Sequence, residues 1–98
     1  LDADHTARSG IDPAEAVRMA GDRLFDVHIK DVTSASAAGE PVEIGRGVID
    51  IPRFVRALID LKYTGTAAFE YEKDGQDPLP GLAESVGYVR GVLAELRR

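Results

Sequence analysis

An α/β fold with parallel strands is what this 98-residue sequence predicts, and two observations carry the prediction. Short segments with period-two hydrophobicity alternate with longer segments of helical period, and every strand-like segment is followed by a helix able to cross back over a sheet. Right-handed crossovers then set the strands parallel. Each strand-like segment also ends on a polar residue, and the ends of parallel strands are where α/β proteins assemble their sites.

The elements follow in order. Leu1-Asp2-Ala3-Asp4-His5 reads as the end of a buried strand. With no initiator Met, charged leader or apolar run, the chain reads as a fragment without a targeting signal, and the compartment is left open with the cytoplasm as default. Asp12-Pro13-Ala14-Glu15 supplies an N-cap, a proline at the first helical position and an early Glu, which predicts a helix over 13–20 that Gly21 stops. Residues 24–29 alternate, with Phe25, Val27 and Ile29 on one face and Asp26, His28 and Lys30 on the other.

Residues 33–47 are rich in Ser and Gly and predict a long loop with a short extended piece at Val42-Glu43-Ile44. Asp50 then caps a helix whose apolar positions Ile51, Phe54, Val55, Leu58 and Ile59 share one face. Residues 66–71 predict another strand, with Ala68, Glu70 and Glu72 on one face. Leu82, Val86, Val89, Leu93 and Leu96 predict a last helix over 81–96, in which Gly87 and Gly91 would let another backbone come close.

Composition narrows the function classes. An apolar content of 44% is that of an ordinary globular domain, and no stretch is long enough for a bilayer, so no membrane partner is expected. A net charge of -5 without a local basic patch works against a nucleic acid partner. The absence of Cys removes disulfides, thiolate metal sites and thiol nucleophiles, leaving His, carboxylates and Lys for any chemistry.

Units of about 30 residues correspond to three of the eight in a (β/α)8 barrel, where groups at the C-terminal strand ends converge. Asp2, His28 and Glu70 stand at those ends with the parity opposite to Val27, Ile29 and Phe69. A carboxylate, an imidazole and a second carboxylate suit a divalent ion such as Mn, Mg, Co, Fe or Zn. Each residue has a plainer reading beside this one. His28 could be a core histidine, Asp2 a turn cap and His5 a solvated loop residue. Glu72 shares the parity of Glu70. Lys30 could pair with Asp26, Asp31 or Glu72, or meet a substrate oxygen. Arg46 could bind substrate or simply be exposed, and Gly45 and Gly47 read as backbone requirements.

Asp2 to His5, the Asp12-Pro13 helix start, Val27-His28-Ile29-Lys30-Asp31, Gly45-Arg46-Gly47-Val48-Ile49-Asp50, and Tyr63-Thr64-Gly65 leading to Phe69-Glu70 together resemble the xylose isomerase-like TIM barrels, often labelled sugar phosphate isomerase/epimerase. The resemblance covers nearly the whole chain and the last three strand-helix units of the family. It implies that Asp2, His28 and Glu70 are three of four metal ligands, the fourth being a Glu on an earlier strand with no counterpart here. It further implies that His5 contacts substrate and that Glu70 doubles as an acid/base, so these two are the catalytic candidates; His5, Lys30 and Arg46 are the candidates for substrate contact.

The function so implied is a metal-dependent sugar isomerase or epimerase working through an enediolate on a small sugar or sugar derivative, with the isolated piece inactive. Three rivals stand beside it. One is a keto-sugar or inosose lyase or dehydratase on the same barrel. Another is a barrel-type endonuclease acting at abasic sites, which the acidity disfavours. The last is a non-catalytic remnant that packs or forms homo-oligomers through an open strand edge.

Overall fold

A computed structural model describes all residues, Leu1–Arg98. Helix α1 (Ala3–Arg8) follows at once on the Leu1-Asp2 segment, and Asp2 caps it, its Oδ1 accepting the N–H groups of Asp4 and His5 at 2.9 and 3.2 Å. The sequence analysis does not anticipate this helix. Its six residues carry only two buried apolar side chains, Ala3 and Ala7, too few to write a helical period. Helix α2 (Pro13–Ala20) has the predicted bounds and the predicted Asp12 cap. A 3-10 turn (Gly21–Arg23) leads into strand β1 (Asp26–Ile29).

Val27 and Ile29 of β1 are buried as the alternation requires, but Phe25 is 81% exposed and lies outside the strand. The period-two pattern began two residues before sheet pairing did, because pairing is decided by the partner strand: Asp26 is the first residue with a partner, Thr66. Strand β2 (Asp31–Val32) pairs antiparallel with strand β3 (Pro41–Val42), so the first part of the long loop closes a small hairpin whose first strand precedes it. Its extended piece sits one residue earlier than Val42-Glu43-Ile44 suggested.

Helix α3 (Ile51–Asp60) buries Ile51, Phe54, Val55, Ala57 and Leu58, and Asp50 caps it by accepting the Arg53 N–H at 3.0 Å. Each of the larger side chains contributes about 1.5–3 kcal/mol by leaving water. Strand β4 (Thr66–Phe69) runs parallel to β1, in the register His28 opposite Ala68. The Glu70 N–H donates to the Ile29 carbonyl at 3.0 Å, which carries the pairing one residue past the strand. Helix α4 (Leu79–Leu96) closes the chain.

Two expectations for α4 need correction. Its buried line in the first half runs through Gly81, Ser85 and Val89, with Leu82 and Val86 only half-buried. The reason is a polar contact: the buried Ser85 hydroxyl accepts the Ile44 N–H at 3.0 Å and donates to the Gly81 carbonyl at 2.9 Å, turning this face of the helix toward the long loop. Gly87 and Gly91 face open space, and no backbone approaches them.

The Leu1-Asp2 segment bridges β1 in parallel, Asp2 opposite His28, with the His28 N–H donating to the Leu1 carbonyl at 2.8 Å. Three parallel segments thus lie side by side in the order 1–2, β1, β4, with α2, α3 and α4 behind them. Val27 and Ile29 belong there to one buried core with Ala14, Val17, Phe54, Val55, Leu58 and Val89. No helix is long and apolar enough to cross a membrane. The other face of the three segments carries the polar residues, and its upper end is where they converge.

Candidate metal centre

Ligand atoms of Asp2, His28 and Glu70 all lie within 4.8 Å of one another. Bonds of about 2.0 to 2.6 Å to one ion set opposite ligands about 4 to 5 Å apart, so these atoms can share an ion with little movement. The His28 Nδ1 is 2.8 Å from Glu70 Oε1 and 3.7 Å from Asp2 Oδ2, and its Nε2 is 3.5 Å from Asp26 Oδ2. Nδ1 therefore faces the two carboxylates, while Asp26 can hold the opposite ring nitrogen and fix the tautomer, as carboxylates commonly do behind metal-bound histidines.

The donor set fits a hard or borderline divalent ion: two oxygens and one nitrogen, half-buried, on the ends of paired strands. Asp2 is both the cap and a member of the cluster, because Oδ1 takes the helix N–H groups while Oδ2 points at His28. The two readings of Asp2 are therefore compatible. His5 stands at the rim with its Nε2 4.0 Å from Asp2 Oδ2 and its Nδ1 3.1 Å from the Arg8 guanidinium.

Lys30 is 4% exposed, and its ammonium lies between Asp4, at 2.8 Å, and Glu72. Pairing with Glu72 is one of the partners the sequence suggested; Asp4 is not. The only hint of Asp4 was its spacing two residues after Asp2, which a strand-end reading did not use. Burial works to lower the Lys30 pKa, but the hydrogen bonds and charges of Asp4 and Glu72 outweigh it and hold the pKa above the ordinary 10.5. Burial likewise works to raise Asp4, and Lys30 followed by Arg8 outweighs it, holding Asp4 below 3.8.

Arg46 is not among these residues. Its guanidinium makes two bonds of 2.6 Å to Glu84 on α4 and stands 3.9 Å from Glu43, whose other oxygen accepts from Lys73 at 2.8 Å. The glycines on either side answer to backbone needs. Gly45 takes φ of +100°, open to glycine and strained for other residues, and a Cβ on Gly47 would strike the Asp31 carboxylate and the Val32 carbonyl.

Asp31 organises this loop and was missed as an individual residue. It is fully buried, and its carboxylate accepts four backbone N–H groups: Val32 and Ile49 on Oδ1 at 2.9 and 3.1 Å, Gly45 and Gly47 on Oδ2 at 2.9 and 3.0 Å. Those partners lie up to 18 residues away, so no local pattern announces them.

Parallel strands backed by helices, with an Asp, His and Glu gathered at their C-terminal ends, define an α/β protein with a candidate metal centre of the barrel type. The chain belongs to the xylose isomerase-like TIM barrel family, whose model matches residues 1–92. That match takes in all three strand segments and most of α4. Proteins of this family are typically enzymes. Two curated proteins are similar over a shorter stretch: the large ribosomal subunit protein uL23 of Anaeromyxobacter sp. (strain Fw109-5) and that of Anaeromyxobacter dehalogenans (strain 2CP-1). Each is 38% identical over 52 residues, which is 53% of this chain and 54% of the relative. The chain thus spans about half the length of the curated relatives it matches.

Proposed function

We propose that this chain forms the last three strand-helix units of a (β/α)8 barrel, and that the complete barrel is a divalent-metal-dependent sugar isomerase or epimerase. The observation that carries the reading is the meeting of Asp2, His28 and Glu70 ligand atoms within 4.8 Å at the ends of adjacent parallel segments, in a chain of this family. Asp2, His28 and Glu70 would hold the ion, which when bound supplies Lewis acidity toward a sugar carbonyl and its neighbouring hydroxyl.

The residues divide the remaining work. Glu70 has two oxygens, so one can serve the ion while the other takes the proton from the carbon next to the carbonyl and leaves an enediolate. An acid/base on another strand of the barrel returns a proton to the opposite face for epimerisation, or to the neighbouring carbon for isomerisation. Asp26 orients the His28 ring, and His5 at the rim reaches the substrate. Arg46, bound to Glu84, positions the loop over α4, and a substrate contact from it would require that pair to open.

The half-length likeness to ribosomal proteins is a poor guide to a partner, since a net charge of -5 works against docking on a polyanion. The deciding experiment follows the complete barrel with Mn²⁺, Mg²⁺ or Co²⁺ over a panel of ketoses and 3-keto-sugars and identifies the products. Metal-dependent conversion of a sugar to its epimer or isomer is the expected result. A dehydrated product would move the reading to a lyase on the same barrel, and metal binding without turnover of any sugar would defeat the enzymatic reading.

A further inference from the structure

Of the three candidate ligands, Asp2 is the least firmly held by the sheet. His28 lies within β1 and Glu70 directly follows β4, whereas Asp2 is joined to β1 by an isolated bridge, with the His28 N–H on the Leu1 carbonyl, and the chain then turns straight into α1. The Asp2 carboxylate takes its direction from that helix. Its Oδ1 accepts the Asp4 and His5 N–H groups, so Oδ2 faces His28 only while the first turn of α1 stays in place. Packing does little to keep it there, because the helix has six residues and buries only Ala3 and Ala7 as apolar side chains.

We infer that Lys30 is a positioning residue for the metal centre: by binding Asp4 it fixes the first turn of α1 against β1 and so aims the Asp2 carboxylate at the ion. The path is short. Lys30 Nζ is 2.8 Å from Asp4 Oδ2, and the N–H of that same Asp4 is the 2.9 Å donor to Asp2 Oδ1. One ion pair thus sets Asp2 relative to His28, the ligand two residues before Lys30. Both partners are almost fully buried, so salt and water screen the pair little. The remaining contacts of the two residues cannot replace it. Arg8 Nε, 2.7 Å from Asp4 Oδ1, belongs to α1 itself and ties nothing to the strand. Glu72, the other partner of Lys30, has a side chain 61% exposed, so that pair is screened and contributes little. Ligands must be held within about 0.5 Å of their working geometry, and loss of the groups that hold them commonly costs about 10–100-fold in metal affinity.

This inference rests on the metal reading above, and its test separates the two. The complete barrel is titrated with CoCl₂ alone, the affinity being read by calorimetry and the geometry of bound Co²⁺ by its visible absorption bands. Lys30→Met, which keeps most of the side chain's length and removes its charge, is expected to bind Co²⁺ at least about tenfold more weakly and with changed bands. Charge by itself predicts the opposite sign, since removing an ammonium near the site favours a cation. Asp4→Ala is expected to give the same loss, and the double variant no more than either single, because both break one path. Leu58→Ala, destabilised in the core behind the sheet, is expected to keep the wild-type affinity and bands. Unchanged or tighter binding by Lys30→Met would overturn the inference while leaving the metal reading intact, and so would an equal loss in Leu58→Ala. Should Lys30→Met fail to fold, Asp4→Ala decides by itself, and wild-type affinity and bands in that variant would overturn the inference. A wild type that binds no Co²⁺ would defeat the metal reading and this inference with it.

Discussion

Asp2 divides its carboxylate between two tasks, one oxygen capping α1 and the other facing His28 and Glu70, and the two can be separated by substitution. Asp2→Asn keeps a capping oxygen, so we expect weaker Mn²⁺ binding by calorimetry with nearly unchanged stability. Asp2→Ala loses both and costs about a further 1 kcal/mol in urea unfolding. In the complete barrel Glu70 and Glu72 separate similarly: Glu70→Gln is expected to abolish turnover and weaken metal binding, whereas Glu72→Gln, which touches only Lys30, should leave most activity in steady-state assays. A dead Glu72→Gln beside an active Glu70→Gln would reverse the assignment. The buried Lys30 also sets a pH dependence. Its pKa is raised, so the stability it contributes is fully present below 10.5 and lost as pH climbs through the higher folded value; the Tyr71 phenol, pushed up to about 12 by burial and then by Asp74, adds to the same limb. Asp4 is lowered, so its contribution is present above 3.8 and lost as pH falls through the lower folded value. Urea midpoints measured against pH should therefore fall at both extremes, with a shallower alkaline fall in Lys30→Met.

Among the elements, the segment from β3 to α3 depends most on one group. It has little regular structure, and its backbone donors at Gly45, Gly47 and Ile49 converge on Asp31 instead of on a strand. Asp31→Ala would orphan four buried or half-buried N–H groups, each worth about 1–3 kcal/mol, which approaches the whole stability of a small domain. We expect Asp31→Ala to be largely unfolded by circular dichroism, and a variant with native stability would show that the loop holds itself. Gly47→Ala should be destabilised for the same reason, since its Cβ would displace that carboxylate. In α3 the contrast is with ordinary packing: Phe54 is fully buried, and Phe54→Ala should cost about 3–5 kcal/mol.

For the whole molecule, three parallel segments make a sheet that does not close, and the face bearing Asp26, His28, Glu70 and Glu72 is open to water on one side. Water at that face weakens each electrostatic contact to a bound ion. The isolated 98-residue chain is therefore expected to bind Mn²⁺ or Co²⁺ weakly and to turn over no ketose. Micromolar affinity with robust turnover would instead require several copies to assemble a complete site, which sedimentation velocity would detect.

Patterns confined to one element were readable without coordinates. The Asp12-Pro13 start of α2, the apolar face of α3 and the parity that sets His28 and Glu70 opposite Val27 and Ile29 all depend on residues within a few positions of one another, where spacing and geometry are nearly the same thing. The order of those elements was enough to predict an α/β chain with parallel strands, and the ordered Asp, His and Glu were enough to suggest which family it resembled. What the sequence left open depends on partners far along the chain. Whether Phe25 would join a strand was decided by where β4 begins to pair, and which face of α4 would be buried was decided by Ser85 meeting Ile44. The partner of Lys30 was decided by the short helix that brings Asp4 inward, and the shape of the Gly45-Arg46-Gly47 loop by the carboxylate of Asp31. A buried polar group must find its partner wherever the folded chain supplies one, so its assignment is a property of the tertiary structure and leaves no periodic trace in the sequence.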